Sequence, residues 1–273
     1  MKYTIIGGKG FIGAELATYL VSQGYDCWIP ERDDERVFST DLGIIVYCAG
    51  HGDCIKNPLK VIDSNLSYLA KIIEKSNFAK IVYLSSTRLY LNGTNSAEES
   101  DLKIDSNDQR RLFNLSKIAA EELCLKSKKD SIIVRLSNVY GLALNSPLFL
   151  PAITRDAIKK KVVDMYVSPQ YAKDYVSVID VAELIHKLTL QESISGEIFN
   201  VASGINTTAL EIAETLVKKT GTKINWHEIT AKEDHFPVTD ISKIQNLVNF
   251  TPKNVIADLS DMIDDFALKI GSL

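Results

Sequence analysis

The sequence predicts an α/β fold: a doubly wound parallel sheet with helices on both faces and a smaller C-terminal lobe. Three observations carry that prediction. Short apolar runs alternate with longer amphipathic segments over residues 1–141. A glycine cluster sits at the junction of the first run and the first amphipathic segment. Beyond residue 142 the rhythm changes, so we divide the chain into a domain of 1–141 and a lobe of 142–273, some of whose segments return to the main sheet.

The elements follow in order. YTII (3–6) is a β-branched, apolar strand. Phe11, Ile12, Leu16, Leu20 and Val21 then recur at helical spacing, and Gly24 stops that helix. CWIP (27–30) reads as a second strand and GIIVYCAG (43–50) as a third, buried on both faces. Over 58–77, Leu59, Ile62, Leu66, Leu69, Ile72 and Ile73 share one helical stripe. KIVYLSS (80–86) is a strand, 108–128 a helix and SIIVRLS (131–137) a strand. Then NSPLFLP forms an irregular link, followed by a helix over 148–160 and a strand in VVDMYV. KDYVSVIDVAELIHKL (173–188) ends in a helix that Asp180 is expected to cap. EIFNVAS is another strand. Thr208 and Glu211 form a capping-box pattern at the head of a helix that Gly221 ends.

Of the 273 residues, 31 are basic and 35 acidic, giving a net charge of −4 with both signs interspersed. There is no basic footprint for nucleic acid and no membrane-binding stripe, so neither partner is expected. No apolar run reaches spanning length, and no charged leader precedes the first strand; both point to a cytoplasmic, reducing setting. Cys27, Cys48, Cys54 and Cys124 match neither a zinc site nor a redox pair, and the histidines lack metal spacing, so no metal is expected. Cys27 and Cys48 lie in apolar runs and are expected to be buried thiols.

GGKGFIG (7–13) follows a strand and opens a helix, the setting in which glycines let a backbone approach a pyrophosphate. The helix amides then face the phosphate charge. Gly8, Gly10 and Gly13 fit one spacing; Gly7, Gly10 and Gly13 fit another. A dinucleotide, NAD or NADP, is the expected cofactor of this Rossmann-like arrangement. Glu31, after the second strand, can accept from both ribose hydroxyls of NAD, whereas Arg32 can pair with the extra phosphate of NADP.

IIGGKGFIG, YLSSTRLY, FNLSK, VRLSNVYG and KDYVSVIDVAELI stand in an order that resembles the extended short-chain dehydrogenase/reductase family. The resemblance is to its branch of NAD-dependent epimerases and dehydratases of nucleotide sugars, and it covers residues 2 to about 265. It implies a substrate-binding role for the C-terminal lobe. It places Gly7, Gly10 and Gly13 in the family's glycine loop, with Phe11 and Ile12 under the pyrophosphate. Cys48, Ala49 and Gly50 match the strand end that passes the adenosine-side ribose, and Asn65 an asparagine that steadies the active-site backbone. Ser86, with Thr87 as a stand-in, matches the hydroxyl that meets the reacting sugar oxygen. Asn138 matches an asparagine facing the nucleotide sugar. Lys117 matches the catalytic lysine. The resemblance further implies a homodimer through helices 58–77 and 108–128, where Leu112, Leu115, Ile118 and Leu123 exceed a single apolar stripe.

Phe113 falls where the family carries its catalytic tyrosine. Tyrosine and lysine at i and i+4 share a helix face; the ammonium lowers the phenol's pKa, and the phenolate takes a proton while hydride leaves. Phenylalanine can do none of this. Three readings follow: an introduced Tyr→Phe change, which the intact NLSK favours; a native phenylalanine with Ser86, Tyr90 or Lys117 moving the proton; or a pseudoenzyme that binds a dinucleotide and signals.

Other departures bear on function. Only RDDERVFSTDL separates the second strand from the third, where the family has a further helix and strand beside the adenine. Lys173 stands where an arginine often meets the substrate diphosphate. TAKEDHFPVTD lacks the family's phosphate-binding arginine before an aspartate like Asp240, leaving Lys232 as a substitute. No carboxylate follows Ser86, which argues against dehydration. What remains is NAD(P)-dependent epimerisation, or reduction of a keto-sugar, with hydride transfer at one sugar carbon.

Overall fold

The computed structural model describes residues 1–229 and 233–271. Six parallel strands form the main sheet, and each is an apolar run buried on both faces or at the sheet edge. In chain order the first half contains β1 (Lys2–Ile6), α1 (Phe11–Ser22), β2 (Asp26–Trp28), β3 (Ile44–Tyr47), α2 (Pro58–Ile62), α3 (Tyr68–Lys75), β4 (Lys80–Ser86), α4 (Arg111–Lys126) and β5 (Ser131–Leu136). The second half adds β6 (Asn138–Tyr140), α5 (Phe149–Lys159), β7 (Val162–Met165), β8 (Ala172–Ser177), α6 (Val178–Thr189), β9 (Glu197–Val201), β10 (Asn206–Thr208), α7 (Ala209–Thr220), β11 (Lys223–Trp226), α8 (Ser242–Leu247) and α9 (Val255–Gly271).

The main sheet runs β2-β1-β3-β4-β5-β9. The chain leaves β1 toward β2 on one side, and β3 lies on the other, so the crevice beyond their carboxyl ends is the topological switch point. One face of the sheet packs Leu16, Leu20, Val181 and Ile185 from α1 and α6. The opposite face packs Leu69, Ile72, Ala120 and Cys124 from α3 and α4. A separate apolar cluster, including Ile153, Leu216, Leu259 and Phe266, joins α5, α7 and α9. Two small sheets, β10-β8-β6 and β11-β7, complete this C-terminal region, while its β9 extends the main sheet. Among the described residues no helix is long and apolar enough to cross a membrane.

Several expectations are corrected. The second strand ends at Trp28, because Pro30 has no N–H to continue a ladder. Between it and β3 lies only a 3-10 turn, Glu35–Phe38, so β2 remains the sheet edge. The expected helix over 58–77 is interrupted by a π-helical turn, Asp63–Ser67. Leu59, placed on its apolar stripe, is 84% exposed. Asp180 does not cap α6. Ser177 does, accepting from the Ile179 N–H, while the Asp180 carboxylate accepts from the Lys253 N–H at 2.8 Å. Cys27 and Cys48 are half-buried rather than buried; only Cys124 is enclosed. Thr208 and Glu211 do form a capping box, and Gly221 follows with φ +67°.

Candidate active site

The glycine loop is shaped by contacts that leave no room for side chains. Gly7 has φ +82°, and a Cβ there would lie 2.6 Å from the Ala49 nitrogen. A Cβ on Gly13 would lie 2.6 Å from the Gly7 oxygen. The backbone of β1, the loop and the first turn of α1 therefore nest together, most tightly at Gly7 and Gly13, whereas a Cβ on Gly10 would stand 3.3 Å from the Gly7 oxygen. A Cβ on Gly8 would also be crowded, 2.7 Å from Ile29 Cγ2 and 3.1 Å from the Ile5 oxygen. No side chain caps α1, and no acidic residue lies in its first turn. Its leading amides and the positive end of its dipole are available to an anion.

A cavity of about 450 Å³ opens onto this loop, lined by Gly7, Gly10, Glu31, Arg32, Ala49, Gly50, His51, Lys60 and Tyr68 among others. Two charge pairs lie on its rim: Lys9 donates to Glu31, and Arg32 to Asp63. Phe11 and Ile12 are not in its lining. Phe11 packs on Gly141, where a Cβ would meet its ring at 3.0 Å, and Ile12 packs on the sheet core.

At the inner end stands Lys117. Its ammonium is buried, donates to the Leu84 carbonyl at 2.7 Å, and lies 4.7 Å from the Tyr83 ring. Burial brings its pKa down to about 8. A Cβ at Gly50 would stand 3.7 Å from that ammonium and 3.2 Å from Asn65 Oδ1. The π-helical turn accounts for Asn65. It turns the side chain inward, where Oδ1 accepts from the His51 N–H at 3.0 Å and Nδ2 donates to the His51 carbonyl and to Ser116 Oγ. The carbonyls of Ser64 and Asn65 accept from the phenols of Tyr47 and Tyr83. π-turns of this kind mark functional sites, since they cost regular hydrogen bonding to aim one residue.

Phe113 lies half-buried one turn before Lys117, its ring 5.8 Å from the Lys117 ammonium and 4.8 Å from the Arg110 guanidinium. Tyr90, the other phenol considered for proton transfer, is not available. It is buried, donates to Asn200 Oδ1 and accepts from Arg135 Nη1, both at 2.8 Å. Behind Lys117, Glu121 and Arg135 form a fully buried two-point ion pair that also takes the Ser85 hydroxyl. This pair ties the end of β4 to α4 and β5.

A second cavity of about 190 Å³ adjoins the carboxyl end of β4 and is lined by Ser86, Thr87, Arg88, Arg110, Asn138, Lys173 and Phe236 among others. Ser86 accepts from the Arg88 N–H, leaving its own O–H free to donate. Asn138 donates to the Asp174 carbonyl at 2.8 Å. Lys173 lies over the rings of Tyr171 and Phe236, and burial pulls its pKa down. Arg88, in contrast, is held by Asp108 at 2.8 Å and Asp234 at 3.0 Å. Lys232 lies outside the described residues. Sequence reasoning missed Arg88, Arg110 and His51. The signal for Arg110 was present, three residues before Phe113 and hence on the same helix face.

Residues 3–202 match the model of the NAD dependent epimerase/dehydratase family. The chain belongs to that family. As a member, it is 27% identical to the UDP-glucose 4-epimerase of Mycoplasma genitalium, over 97% of this chain and 94% of that one. It is 24% identical to the GDP-6-deoxy-D-talose 4-dehydrogenase of Aggregatibacter actinomycetemcomitans, over 99% and 100%. Its fold superimposes with a TM-score of 0.85, at 18% identity over 99% and 100%, on the Y149F mutant of UDP-glucuronic acid 4-epimerase from Bacillus cereus. That structure holds UDP-4-deoxy-4-fluoro-glucuronic acid and NAD. The family is NAD-dependent, and the close backbone nest at Gly7 and Gly13 with the uncapped start of α1 fits such a dinucleotide.

Proposed function

We propose that this chain binds NAD and a nucleoside-diphosphate sugar and transfers hydride at one sugar carbon, in the manner of a 4-epimerase. The supporting observation is Lys117, still buried and held beside Gly50 of the glycine-loop cavity although its usual phenol partner is absent. Gly7, Gly10, Gly13 and the first amides of α1 hold the pyrophosphate. Glu31 takes the adenosine ribose, and Cys48, Ala49 and Gly50 pass beside it. Arg32 pairs with Asp63 just as Glu31 pairs with Lys9, so the preference for NAD over NADP rests on the NAD dependence of the family. NAD, when bound, supplies the hydride acceptor.

Ser86, with Thr87 beside it, donates to the reacting sugar oxygen, while Asn138 and Lys173 hold the nucleotide sugar, Lys173 at its diphosphate. Phe113 offers no hydroxyl, so the proton of the reacting sugar hydroxyl passes to Ser86 Oγ as the Ser86 hydroxyl passes its own proton to the neutral amine of Lys117, a form that burial makes accessible near pH 8. Losing a positioned base costs ~10²–10⁴ in rate, and turnover is correspondingly slow. No free carboxylate stands beside Ser86 to eliminate water, since Asp108 and Asp234 both serve Arg88. A binding-only reading is favoured by one observation, the enclosure of Tyr90, which removes the phenol that the sequence offers in place of the missing one. Leu59 and Leu115 remain exposed on α2 and α4, and a second copy of the chain is the proposed cover.

Denaturing the purified protein and identifying the released dinucleotide tests the reading. One NAD per chain is expected of an epimerase, whereas an empty site that takes up NADPH points to a keto-sugar reductase. A protein that binds neither overturns the proposal. Light scattering should return the mass of two chains.

A further inference from the structure

The substrate-side cavity holds three cations whose environments differ. Arg88 is neutralised by two carboxylates. Arg110 and Lys173 have no carboxylate within ion-pair distance among the described residues; each lies over aromatic rings instead. The carboxylates nearby are already engaged. Asp174 accepts from the N–H groups of Ser203, Gly204 and Ile205 at 2.9, 2.7 and 3.2 Å. Asp108 accepts from Arg88, from the Arg110 backbone N–H and from Asn114. The site thus presents two uncommitted cations at different places on its wall.

A nucleoside-diphosphate hexose with a neutral sugar brings one anionic group, the diphosphate, which Lys173 meets in the reading above. Arg110 is then left over. It lies beside the reacting end, its guanidinium over the Phe113 ring, and Nη2 occupies space that the missing side chain of Gly52 leaves: a Cβ there would stand at 3.1 Å. A guanidinium lying over a ring uses its face and keeps its in-plane N–H fork for a planar acceptor. Carboxylate is the sugar substituent that matches such a fork in two bonds.

We propose that the sugar ring of the substrate carries a carboxylate, as in a nucleoside-diphosphate uronic acid, and that Arg110 binds it. The proposal rests on the nucleotide-sugar reading of this site. Arg110 is therefore a specificity-determining residue one helical turn from the position of the missing phenol.

Calorimetry on the NAD-loaded full chain tests this with matched acid and neutral sugars: UDP-glucuronate against UDP-glucose, with dTDP and GDP pairs alongside. In the base series that binds, the acid is expected to bind about tenfold or more tightly, the range of a charge-assisted pair. In Arg110→Met that ratio should fall to near one, and Arg110→Lys should restore it only in part. Equal binding of acid and neutral sugar by the unmodified chain overturns the proposal while leaving the nucleotide-sugar reading intact. A preference that survives Arg110→Met overturns the role of Arg110. Should NAD bind but no nucleotide sugar of any base do so, the nucleotide-sugar reading falls and this inference with it.

Discussion

The two cavities are built by different means. The glycine-loop cavity is a backbone construction: its critical contacts are between main-chain atoms of Gly7, Gly13 and Ala49, and two charge pairs, Lys9–Glu31 and Arg32–Asp63, lie on its rim. The substrate-side cavity is a side-chain construction, with Arg88, Arg110 and Lys173 drawn from three separate segments and only the first neutralised. A backbone cradle can serve one invariant ligand through many sequences. A side-chain wall can be altered one residue at a time, and there the chain departs from the pattern it resembles by single residues, whereas on the dinucleotide side it departs by a whole missing segment between β2 and β3. Lys117 lies at the join, and the comparison can be broken or sharpened by testing what each side needs.

The largest structural effect is expected at the buried pair behind Lys117. Glu121→Ala strands the Arg135 guanidinium and should cost about 3–5 kcal/mol in urea unfolding. A loss below 1 kcal/mol would mean the substrate side does not depend on this side-chain frame. Next comes the Lys117 ammonium. Its folded pKa, about 8, lies below the ordinary lysine value, so the unfolded chain binds the proton over the interval between them. Stability should rise with pH across that window, from about 8 to about 10.4, and the gap to Lys117→Met should change by roughly 3 kcal/mol in the wild type's favour. A pH-independent gap contradicts the burial of the charge.

On the backbone side, Gly13→Ala pushes a methyl into the Gly7 carbonyl. It should cost ~1–3 kcal/mol and weaken NAD binding measured by fluorescence titration. Unchanged affinity would show that the nest is not what the dinucleotide meets. The smallest effect belongs to a feature distant from both cavities: Thr208→Ala removes a cap and should lower stability by about 1 kcal/mol without changing NAD affinity.

The same contrast explains what the sequence disclosed. Alternating apolar runs and the Gly7–Gly13 spacing report backbone requirements, and period and spacing are readable along one chain. The order of strands and helices and the Thr208 cap were legible for that reason. The π-helical turn was not, because a single wide turn leaves the apolar stripe of 58–77 nearly in phase. Ser177 was passed over for Asp180, since both residue types cap helices and only the tertiary partner, the Lys253 N–H, separates them. Arg88 and Arg110 were not singled out from the sequence. Their convergence with Lys173, at least 60 residues on, is a property of the folded topology alone.

The account's central claim is that a complete site lacks one hydroxyl. The direct measurement is turnover of nucleoside-diphosphate hexoses and uronic acids, with NAD, by the unmodified chain and by Phe113→Tyr. The account predicts that kcat/KM rises by ~10²–10⁴ in the variant. No gain on any of these substrates, in a variant that folds and binds NAD as before, would contradict it.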